Sequence, residues 1–390
     1  MKSFSFPQNP IYIPKVQDSS ISKWKLNLPV VCVNAFTLAR WPTVNSIRDH
    51  ADILIVDPVT DRILYGVSQK KKNFKKLNYP DAEPEDIYSN KDIRQVLIEQ
   101  SIKNQLQARA DILIAPYLFA EDTDDTKFTI NLTLLSETVR YLEKIKEKKS
   151  LFAMICIGNT VFNRPIILNH IIDRYNDDFA DHLSGFFLSI NDLNGRSTTD
   201  ETKLLNLAYF VFRLSEYKPV IIKRLDAFGE ILSAIGASGY SSGLAMSETF
   251  LANQKDDTPR KPLKRIYAPE IFDYLNDEEA KEIKYECHPA SNSSGSHPEG
   301  RHIKAQHYLH HHLDRMGKMQ SLSREQKISY MLKEIGKAKK KAVEWSDQFG
   351  ILPKFLHASR WTSVLEKAKD WKPSKQNDEE LSMLLAELEK

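Results

Sequence analysis

The sequence predicts an α/β fold, a closed (β/α)8 barrel of the TIM type followed by an appended helical segment. Eight short apolar runs recur between about residue 29 and residue 275, and helical patterns separate most of them. A strand that is buried on both faces reads as a continuous Val/Ile/Leu run, and alternation of such strands with helices is typical of a parallel sheet. Each run also ends in polar or charged residues, which matches a barrel whose chemistry lies at the carboxyl ends of its strands.

The eight predicted strands divide the chain into three parts. In chain order they are PVVCVNAF, DILIVDP, DILIAPYLFAED, LFAMICIGN, GFFLSINDLN, PVIIKRLD, ASGYSSGLAMSE and the weaker KRIYAPEIF, which holds Glu270. We therefore expect an irregular lead-in at 1–28, the barrel at 29–280, and a His-rich loop with a basic helical appendage at 281–390. A basic insertion at 67–92 follows the second run, where it would lie over the active face of the barrel.

Helical patterns fill the gaps between the runs. Asn90 is a suitable N-cap for the helix that contains IRQVLIEQSIKNQLQ. Further helices are predicted at about 132–149, 166–175, 201–214 and 228–235, and most of 303–349 is helical and basic. FDYLNDEEAKEI is interpreted as one charged helix after the barrel.

Length and composition favour a soluble, cytoplasmic protein. The 390 residues exceed the roughly 250 of a bare barrel. No apolar run approaches the roughly 20 residues that cross a bilayer, so no membrane association is expected. The N-terminus lacks the apolar core of a signal peptide. Three cysteines, Cys32, Cys156 and Cys287, are too dispersed for a disulfide framework.

Basic residues are clustered although the net charge is only +3. The first cluster lies in the insertion and consists of Lys70, Lys71, Lys72, Lys75 and Lys76. A second lies at 337–341, and 256–265 is also rich in Lys and Arg. Such patches can contact phosphate backbones, so a nucleic acid is the predicted partner. The alternative is that each cluster is an ordinary solvated loop or helix face.

Charged residues at the strand ends are the candidate catalytic groups. They are Asp57, Asp192, Lys223 and Asp226, with Arg224 as a candidate substrate-binding residue. A carboxylate beside cations can act as a nucleophile or base on a substrate that the cations hold. The alternative is that Lys223 and Arg224 only neutralise buried aspartates, because unpaired charges are costly to bury.

Four polar residues at strand ends are predicted to contact the substrate: Asn159, Asn191, Ser241 and Ser242. The two serines lie in AIGASGYSSGLAMSE, whose glycines allow a close backbone approach. This run has neither the GxxxxGK[ST] nor the GxGxxG spacing of nucleotide-binding loops. Its glycines are equally compatible with tight packing alone.

Histidines are concentrated in CHPASNSSGSHPEGRHIKAQHYLHHHL, which begins at Cys287. His307 and His311 share one helix face, and with Cys287 and His302 they form a candidate zinc site. No second cysteine follows, and the alternative is a polar loop followed by a His-rich helix.

Three stretches resemble the tRNA-guanine transglycosylase superfamily, barrels that exchange a guanine base for a deazaguanine. They are QSIKNQLQARADILIAP, FAMICIGN and KRLDAFGEILSAIGASGYSSGL, and the Cys and His segment after them is also similar to that family. The resemblance implies a barrel, base exchange and zinc. The chain has Asp57 in DPVTDR where the family has DSGG, Tyr240 to Gly243 where the family has its nucleophilic Asp, and no CxCxxC run.

Three functional hypotheses follow from these observations. The first is an enzyme acting on a nucleic acid or nucleobase, with Asp57 or Asp192 as acid/base or nucleophile, cations holding an anion and asparagines reading the base edge. The second is a non-catalytic barrel in a nucleic-acid-processing or defence assembly, docking through the amphipathic residues 378–390. The third is an aldolase or lyase that uses Lys223 as a Schiff-base amine.

Overall fold

The computed structural model describes residues 9–16, 20–39, 41–64, 72–198, 200–244, 250–252, 265–287 and 300–373. Eight parallel strands form a closed barrel, in which each strand pairs with its neighbours in chain order and β8 pairs with β1. The strands are β1 Ile11–Val16, β2 Leu28–Asn34, β3 Ala51–Asp57, β4 Ile112–Ile114, β5 Ser150–Gly158, β6 Gly185–Asn191, β7 Val220–Lys223 and β8 Gly239–Gly243. The predicted fold class is confirmed.

Helices connect the strands and surround the barrel. They are α1 Ser20–Trp24, α2 Trp41–Arg48, α3 Lys72–Lys75, α4 Pro84–Ser89, α5 Lys91–Gln107, α6 Thr126–Lys144, α7 Pro165–Phe179, α8 Glu201–Ser215 and α9 Phe228–Ile235. After the barrel come α10 Asp277–Glu282, α11 Gly300–Met319, α12 Arg324–Phe349 and α13 Ala358–Ala368. Asn90 caps α5 as predicted, since its side chain accepts from the backbone N–H groups of Asp92 and Ile93.

The first barrel strand was not predicted. Residues 11–16, IYIPKV, lie within the stretch expected to be an irregular lead-in, yet they pair with β2 and β8. The first seven predicted strands are therefore β2 to β8. Pro14 and Lys15 interrupt the apolar character of β1. The barrel tolerates Lys15 because this side chain faces its polar mouth.

The predicted eighth strand is wrong as a barrel strand. Residues in KRIYAPEIF form β9, Arg265–Ala268, which pairs with β10, Asp273–Asn276, in a separate antiparallel sheet. The same sheet corrects the charged helix expected from FDYLNDEEAKEI, because only α10 in that stretch is helical. A run of four apolar residues has the same sequence pattern in a parallel barrel and in an antiparallel sheet, so the pattern does not distinguish the two.

Side chains alternate between the barrel interior and the surrounding helices. The interior cluster includes Ile13, Val30, Ile55, Ile114 and Phe187. Residues of the opposite parity, such as Val31 and Leu54, join a larger core under the helices. This alternation decides which strand residues can reach the barrel mouth.

The C-terminal helices share that larger core with the barrel. Tyr308 of α11 and Trp361 of α13 are fully buried in it, together with strand residues. Helix α11 packs against β1, α12 against α9, and α13 against α8. The segment predicted as an appendage thus completes the helical layer, although its last residues, 374–390, lie outside the described part of the chain.

A buried charge network joins α11 to the barrel. Glu230 of α9 accepts from Arg315 (Nη1 to Oε2, 2.7 Å), and its Oε1 lies 2.5 Å from His312 Nδ1. The hydroxyl of Tyr240 on β8 donates to the same carboxylate at 3.0 Å. Burial raises the pKa of Glu230, but the charges of Arg315 and His312 outweigh it and lower the pKa to about 2.

No helix in the described part of the chain combines the length and the apolar character that a bilayer crossing requires.

We predict that Glu230→Gln destabilises the fold by about 3 kcal/mol, because Arg315 would remain buried without a counter-charge. Guanidinium unfolding of both proteins at neutral pH measures the difference. Glu366→Gln is the matched control, since its partner Lys369 is an exposed neighbour on the same helix, and its effect should stay within about 0.5 kcal/mol. Equal effects of the two substitutions would contradict the prediction.

Candidate active site

Three charged side chains meet inside the mouth of the barrel. Lys15 is the last but one residue of β1, Asp57 ends β3 and Lys223 ends β7. All three have the parity of interior residues and are buried, with 4 %, 1 % and 5 % of their surface exposed. Because parallel strands place their carboxyl ends at one edge, the barrel closure brings residues from distant parts of the chain together.

Asp57 is the centre of this cluster. Its Oδ2 lies 2.6 Å from Lys223 Nζ and 3.5 Å from Lys15 Nζ. Its Oδ1 accepts from the hydroxyl of Tyr117 at 2.8 Å and from the backbone N–H of Val59 at 3.1 Å. Four donors surround one carboxylate, so Asp57 has little capacity left to attack a substrate.

Tyr117 follows β4, and hydrogen bonds hold both its backbone and its side-chain hydroxyl. Its backbone N–H donates to Thr60 Oγ1 at 2.7 Å, and the Thr60 hydroxyl donates back to the Tyr117 carbonyl at 2.6 Å. Gln105 and Asn131 each bind the backbone of a neighbouring residue through both amide atoms. Tyr117 therefore presents its hydroxyl to Asp57 from a rigid segment, and Lys223 Nζ donates to that hydroxyl at 3.2 Å.

The pKa values of Asp57 and Lys15 are both lowered in this cluster. Burial raises the pKa of Asp57, but the charges of Lys223 and Lys15 outweigh it and hold the pKa below its usual range. Burial lowers the pKa of Lys15 well below its usual range, and the charges of Arg224 and Lys223 lower it further. Asp57 is thus an ionised anchor, and the amine of Lys15 loses its proton more readily than that of an ordinary exposed lysine.

Apolar side chains line the barrel mouth around the charged cluster. Phe119 follows β4, and Phe250 bridges to Asn191 at the end of β6. Their ring centroids lie 6.2 Å apart, and both belong to the interior cluster. Cys32 and Cys156 also belong to it, and burial raises the pKa of Cys32 to about 11, so these thiols remain protonated.

Left-handed backbone conformations occur shortly after three of the barrel strands, as they do at several other places in the described chain. Val59, Asp192, Arg224 and Asp226 have φ values of 50°, 49°, 63° and 48°. Such values are costly for residues other than glycine, and most of all for a β-branched residue such as Val59. Backbone strain of this kind accumulates at functional sites.

Asp192 and its two neighbouring asparagines lie at the rim. The carboxylate of Asp192 is exposed. Asn159 donates to the carbonyls of Asn191 and Asp192, both at 3.1 Å, and accepts from Lys203 at 2.9 Å. The side-chain oxygen of Asn191 accepts from the backbone of Ala252 at 2.7 Å. Both amides thus hold strand ends together, which leaves them poorly placed to read a substrate.

The side chains of Asp226 and Ser242 make hydrogen bonds that stabilise the fold. The carboxylate of Asp226 accepts from the backbone N–H of Phe228, the first residue of α9, at 2.7 Å, and it also pairs with Arg196. Ser242 has the outward parity of β8, and its hydroxyl bonds Tyr12 and Tyr308, both at 3.0 Å. Ser242 therefore faces α11 and not the mouth, whereas Ser241 faces inward beside Lys223.

The lysines of the insertion are only partly described. Lys72, Lys75 and Lys76 are exposed, whereas Lys70 and Lys71 lie outside the described residues. Phe74 of α3 packs against Phe36, which follows β2, so the exposed lysines lie near the barrel mouth.

The candidate zinc ligands do not form a site in the described part of the chain. His307 Nε2 lies 3.0 Å from the Tyr267 carbonyl and 3.2 Å from the Tyr285 hydroxyl. Burial raises the pKa of Cys287, which disfavours the thiolate that a metal needs. Among the described side chains, which do not include that of His302, no three His, Cys, Asp or Glu are grouped to hold a metal ion.

Lys15 and Tyr117 are the site residues that sequence reasoning missed. Lys15 follows the alternating IYIP, which is the weak signal of a strand that ends in a cation. Tyr117 follows Pro116 within a longer apolar run, and no pattern separates it from core residues.

The chain matches no protein-family model, and no curated protein matches it significantly. The resemblance to transglycosylases therefore has no support from these comparisons.

We predict that Asp57→Asn costs about 3 to 5 kcal/mol of unfolding free energy at pH 7, because Lys223 and Lys15 lose their counter-charge. A depressed carboxyl pKa stabilises the fold above the ordinary value of about 3.9, and this contribution is lost as the pH falls below it. The difference between the two proteins should therefore stay constant from pH 7 to about pH 5 and shrink as the pH falls from about 4 to about 2. Denaturant unfolding at several pH values measures it.

Asp314→Asn is the control, since its ion pair with Lys318 is exposed. This variant should differ from the unmodified protein by less than about 0.5 kcal/mol throughout. A pH-independent effect of Asp57→Asn would show that the carboxylate is not the charged anchor.

Proposed function

We propose that this protein is an enzyme that forms an imine between the amine of Lys15 and a carbonyl-bearing small molecule. The observation that carries the proposal is the buried pair of lysines around Asp57 at the barrel mouth. A lysine becomes nucleophilic when it is desolvated or lies near another cation, and Lys15 meets both conditions. The third hypothesis from the sequence is thereby favoured, with Lys15 in place of Lys223.

The distances around Asp57 support this choice of lysine. Lys223 Nζ lies 2.6 Å from the carboxylate and bonds Tyr117, so its ammonium is well compensated. Lys15 Nζ lies at 3.5 Å, the outer limit of a hydrogen bond. One carboxylate cannot neutralise two ammonium groups, so the more weakly held lysine is the better nucleophile.

The chemical steps use groups that are already in place. The neutral amine of Lys15 attacks the carbonyl carbon, and the C–N bond forms as the carbonyl electrons move to oxygen. The oxygen leaves as water after it gains two protons: the attacking nitrogen supplies one, and the ammonium of Lys223, which Tyr117 and Asp57 hold in place, supplies the other. The products are the iminium on Lys15, one water molecule and the neutral amine of Lys223, which regains its proton when the iminium is hydrolysed.

An iminium group withdraws electrons from the adjacent carbon. It therefore permits cleavage or formation of a carbon–carbon bond next to the original carbonyl, and the reaction class is that of aldolases and decarboxylating lyases. Hydrolysis of the imine then returns the amine of Lys15 and releases the product.

We predict that borohydride, in the presence of pyruvate, attaches a reduced adduct to Lys15. Hydride converts the imine into a stable secondary amine, which intact mass and peptide mapping detect. Lys15→Gln should lose the adduct, whereas Lys103→Gln, which removes an exposed helix lysine, should retain it. An adduct at Lys223 in the unmodified protein would transfer the role to that residue, and labelling of surface lysines alone would refute imine catalysis.

A nucleobase-directed enzyme is the second candidate. The observation that favours it is the exposed set Lys72, Lys75 and Lys76 beside the mouth, with the exposed carboxylate of Asp192 on the same rim. In this reading the lysines hold the phosphate backbone and Asp192 is the nucleophile, because Asp57 is fully engaged.

We predict for this candidate that tRNA-like and single-stranded oligonucleotides bind with an affinity that falls steeply as salt rises. Replacing Lys72, Lys75 and Lys76 by Gln should reduce both the affinity and the salt slope. The same change at Lys144, Lys146 and Lys148, which are exposed from the end of α6 to the start of β5, is the matched control. Absence of binding at low salt would exclude the candidate.

A further inference from the structure

Arg224 lies at the barrel mouth, near the carboxylates of Asp57 and Asp61 but without a direct ion pair among the described residues. It follows β7 directly, and only 8 % of its surface is exposed. Its Nε is buried without a hydrogen-bond partner, and among the described residues no Asp or Glu forms an ion pair with its guanidinium. A buried, unpaired arginine is costly, so its retention at a strand end needs a reason.

The backbone turns Arg224 toward the reacting groups. Its φ of 63° breaks the alternation of β7, and its N–H donates to the Ser241 carbonyl at 2.7 Å. The guanidinium is near enough to Lys15 and Asp57 for their charges to influence one another. Asp61 is also buried near Lys223 and Arg224, and burial raises its pKa. The mouth thus places Lys15, Lys223 and Arg224 around two carboxylates, Asp57 and Asp61, and positive charge is in excess.

Two serine hydroxyls lie beside these cations. Ser189, Lys223 and Ser241 are register partners on β6, β7 and β8, so their side chains form one inward row. Both hydroxyl oxygens are buried without a hydrogen-bond partner. The neighbour of Ser189 on β5 is Cys156, whose thiol is only a weak hydrogen-bonding group.

Cationic and hydroxyl donors that converge without acceptors are suited to an anion. A guanidinium binds the oxygens of a carboxylate or phosphate through parallel N–H groups, and hydroxyls add further donors. The carboxylate of Asp57 cannot serve, since its oxygens are already bound.

We propose that Arg224, Ser241 and Ser189 form a subsite for an anionic group of the substrate. This inference rests on the proposed function, because it assigns the carbonyl of the same substrate to Lys15. It identifies the substrate class as small carbonyl compounds that carry a carboxylate or a phosphate. Arg224 is then the residue that determines specificity for this anion.

Binding of simple anions tests the subsite without any reaction at Lys15. Acetate and inorganic phosphate are titrated by calorimetry into the full-length protein, Arg224→Gln and Arg140→Gln. Arg140 is an exposed arginine on α6, so its substitution is the matched control. We expect one of the two anions to bind, with about tenfold or greater loss of affinity in Arg224→Gln only.

The choice of anion identifies the source of the charge. Preference for acetate indicates a carboxylate substrate, and preference for phosphate indicates a phosphorylated one. The subsite is refuted if neither anion binds the unmodified protein or if Arg224→Gln binds as well as Arg140→Gln. Thermal unfolding controls for misfolding, and we expect the midpoint of Arg224→Gln to equal or exceed that of the unmodified protein, because an unpaired buried charge is removed.

Trapping with a matched pair of carbonyl probes separates this inference from the proposed function. Borohydride adducts are compared for pyruvate and acetone, which differ by the carboxylate. Preference for pyruvate that disappears in Arg224→Gln supports both proposals. Equal trapping of both probes refutes the subsite alone, whereas anion binding at Arg224 without any adduct at Lys15 refutes imine formation alone.

Discussion

The ion pairs of Asp57 are the interaction on which the barrel mouth depends. Two lysines enter an interior that is otherwise lined by Ile, Val and Phe, and neither could be retained there without a carboxylate. The carboxylate is in turn held by a tyrosine that Thr60 fixes through both of its backbone polar groups. The carboxylate that compensates the two lysine charges is therefore itself positioned by the hydrogen-bonded backbone of Tyr117.

A second buried carboxylate has the corresponding role on the outside of the barrel. Glu230 binds Arg315 and His312 of α11, and so attaches the C-terminal helices to the strand that closes the barrel. The two networks lie on opposite faces of β8, where Ser241 faces inward and Tyr240 faces outward. Because side chains alternate along β8, the cation-rich site in the barrel mouth and the structural network around Glu230 lie on different faces of the same strand.

The sequence was sufficient to predict the fold class, because β2 to β8 are runs of buried apolar residues that end in polar ones. It did not reveal β1, since Pro14 and Lys15 give IYIPKV the appearance of a loop, and it assigned an antiparallel hairpin to the barrel because both kinds of strand bury the same residues.

Within the site, Asp57 and Lys223 were predicted from their place after Val and Ile. Lys15 and Tyr117 were not, since only the closed barrel brings them near Asp57. Asn159 and Asn191 could not be judged from sequence, because their partners are backbone groups of other loops.

The position of β1 has a consequence for how the protein is made. The strand that supplies Lys15 is translated before the other seven barrel strands, but its pairing with β8 requires residues 239–243, which are translated more than two hundred residues later. Until then Lys15 is solvated and carries the ordinary basicity of a lysine. A nascent or truncated chain therefore lacks the nucleophile that we propose, and the amine becomes reactive only when ring closure is complete.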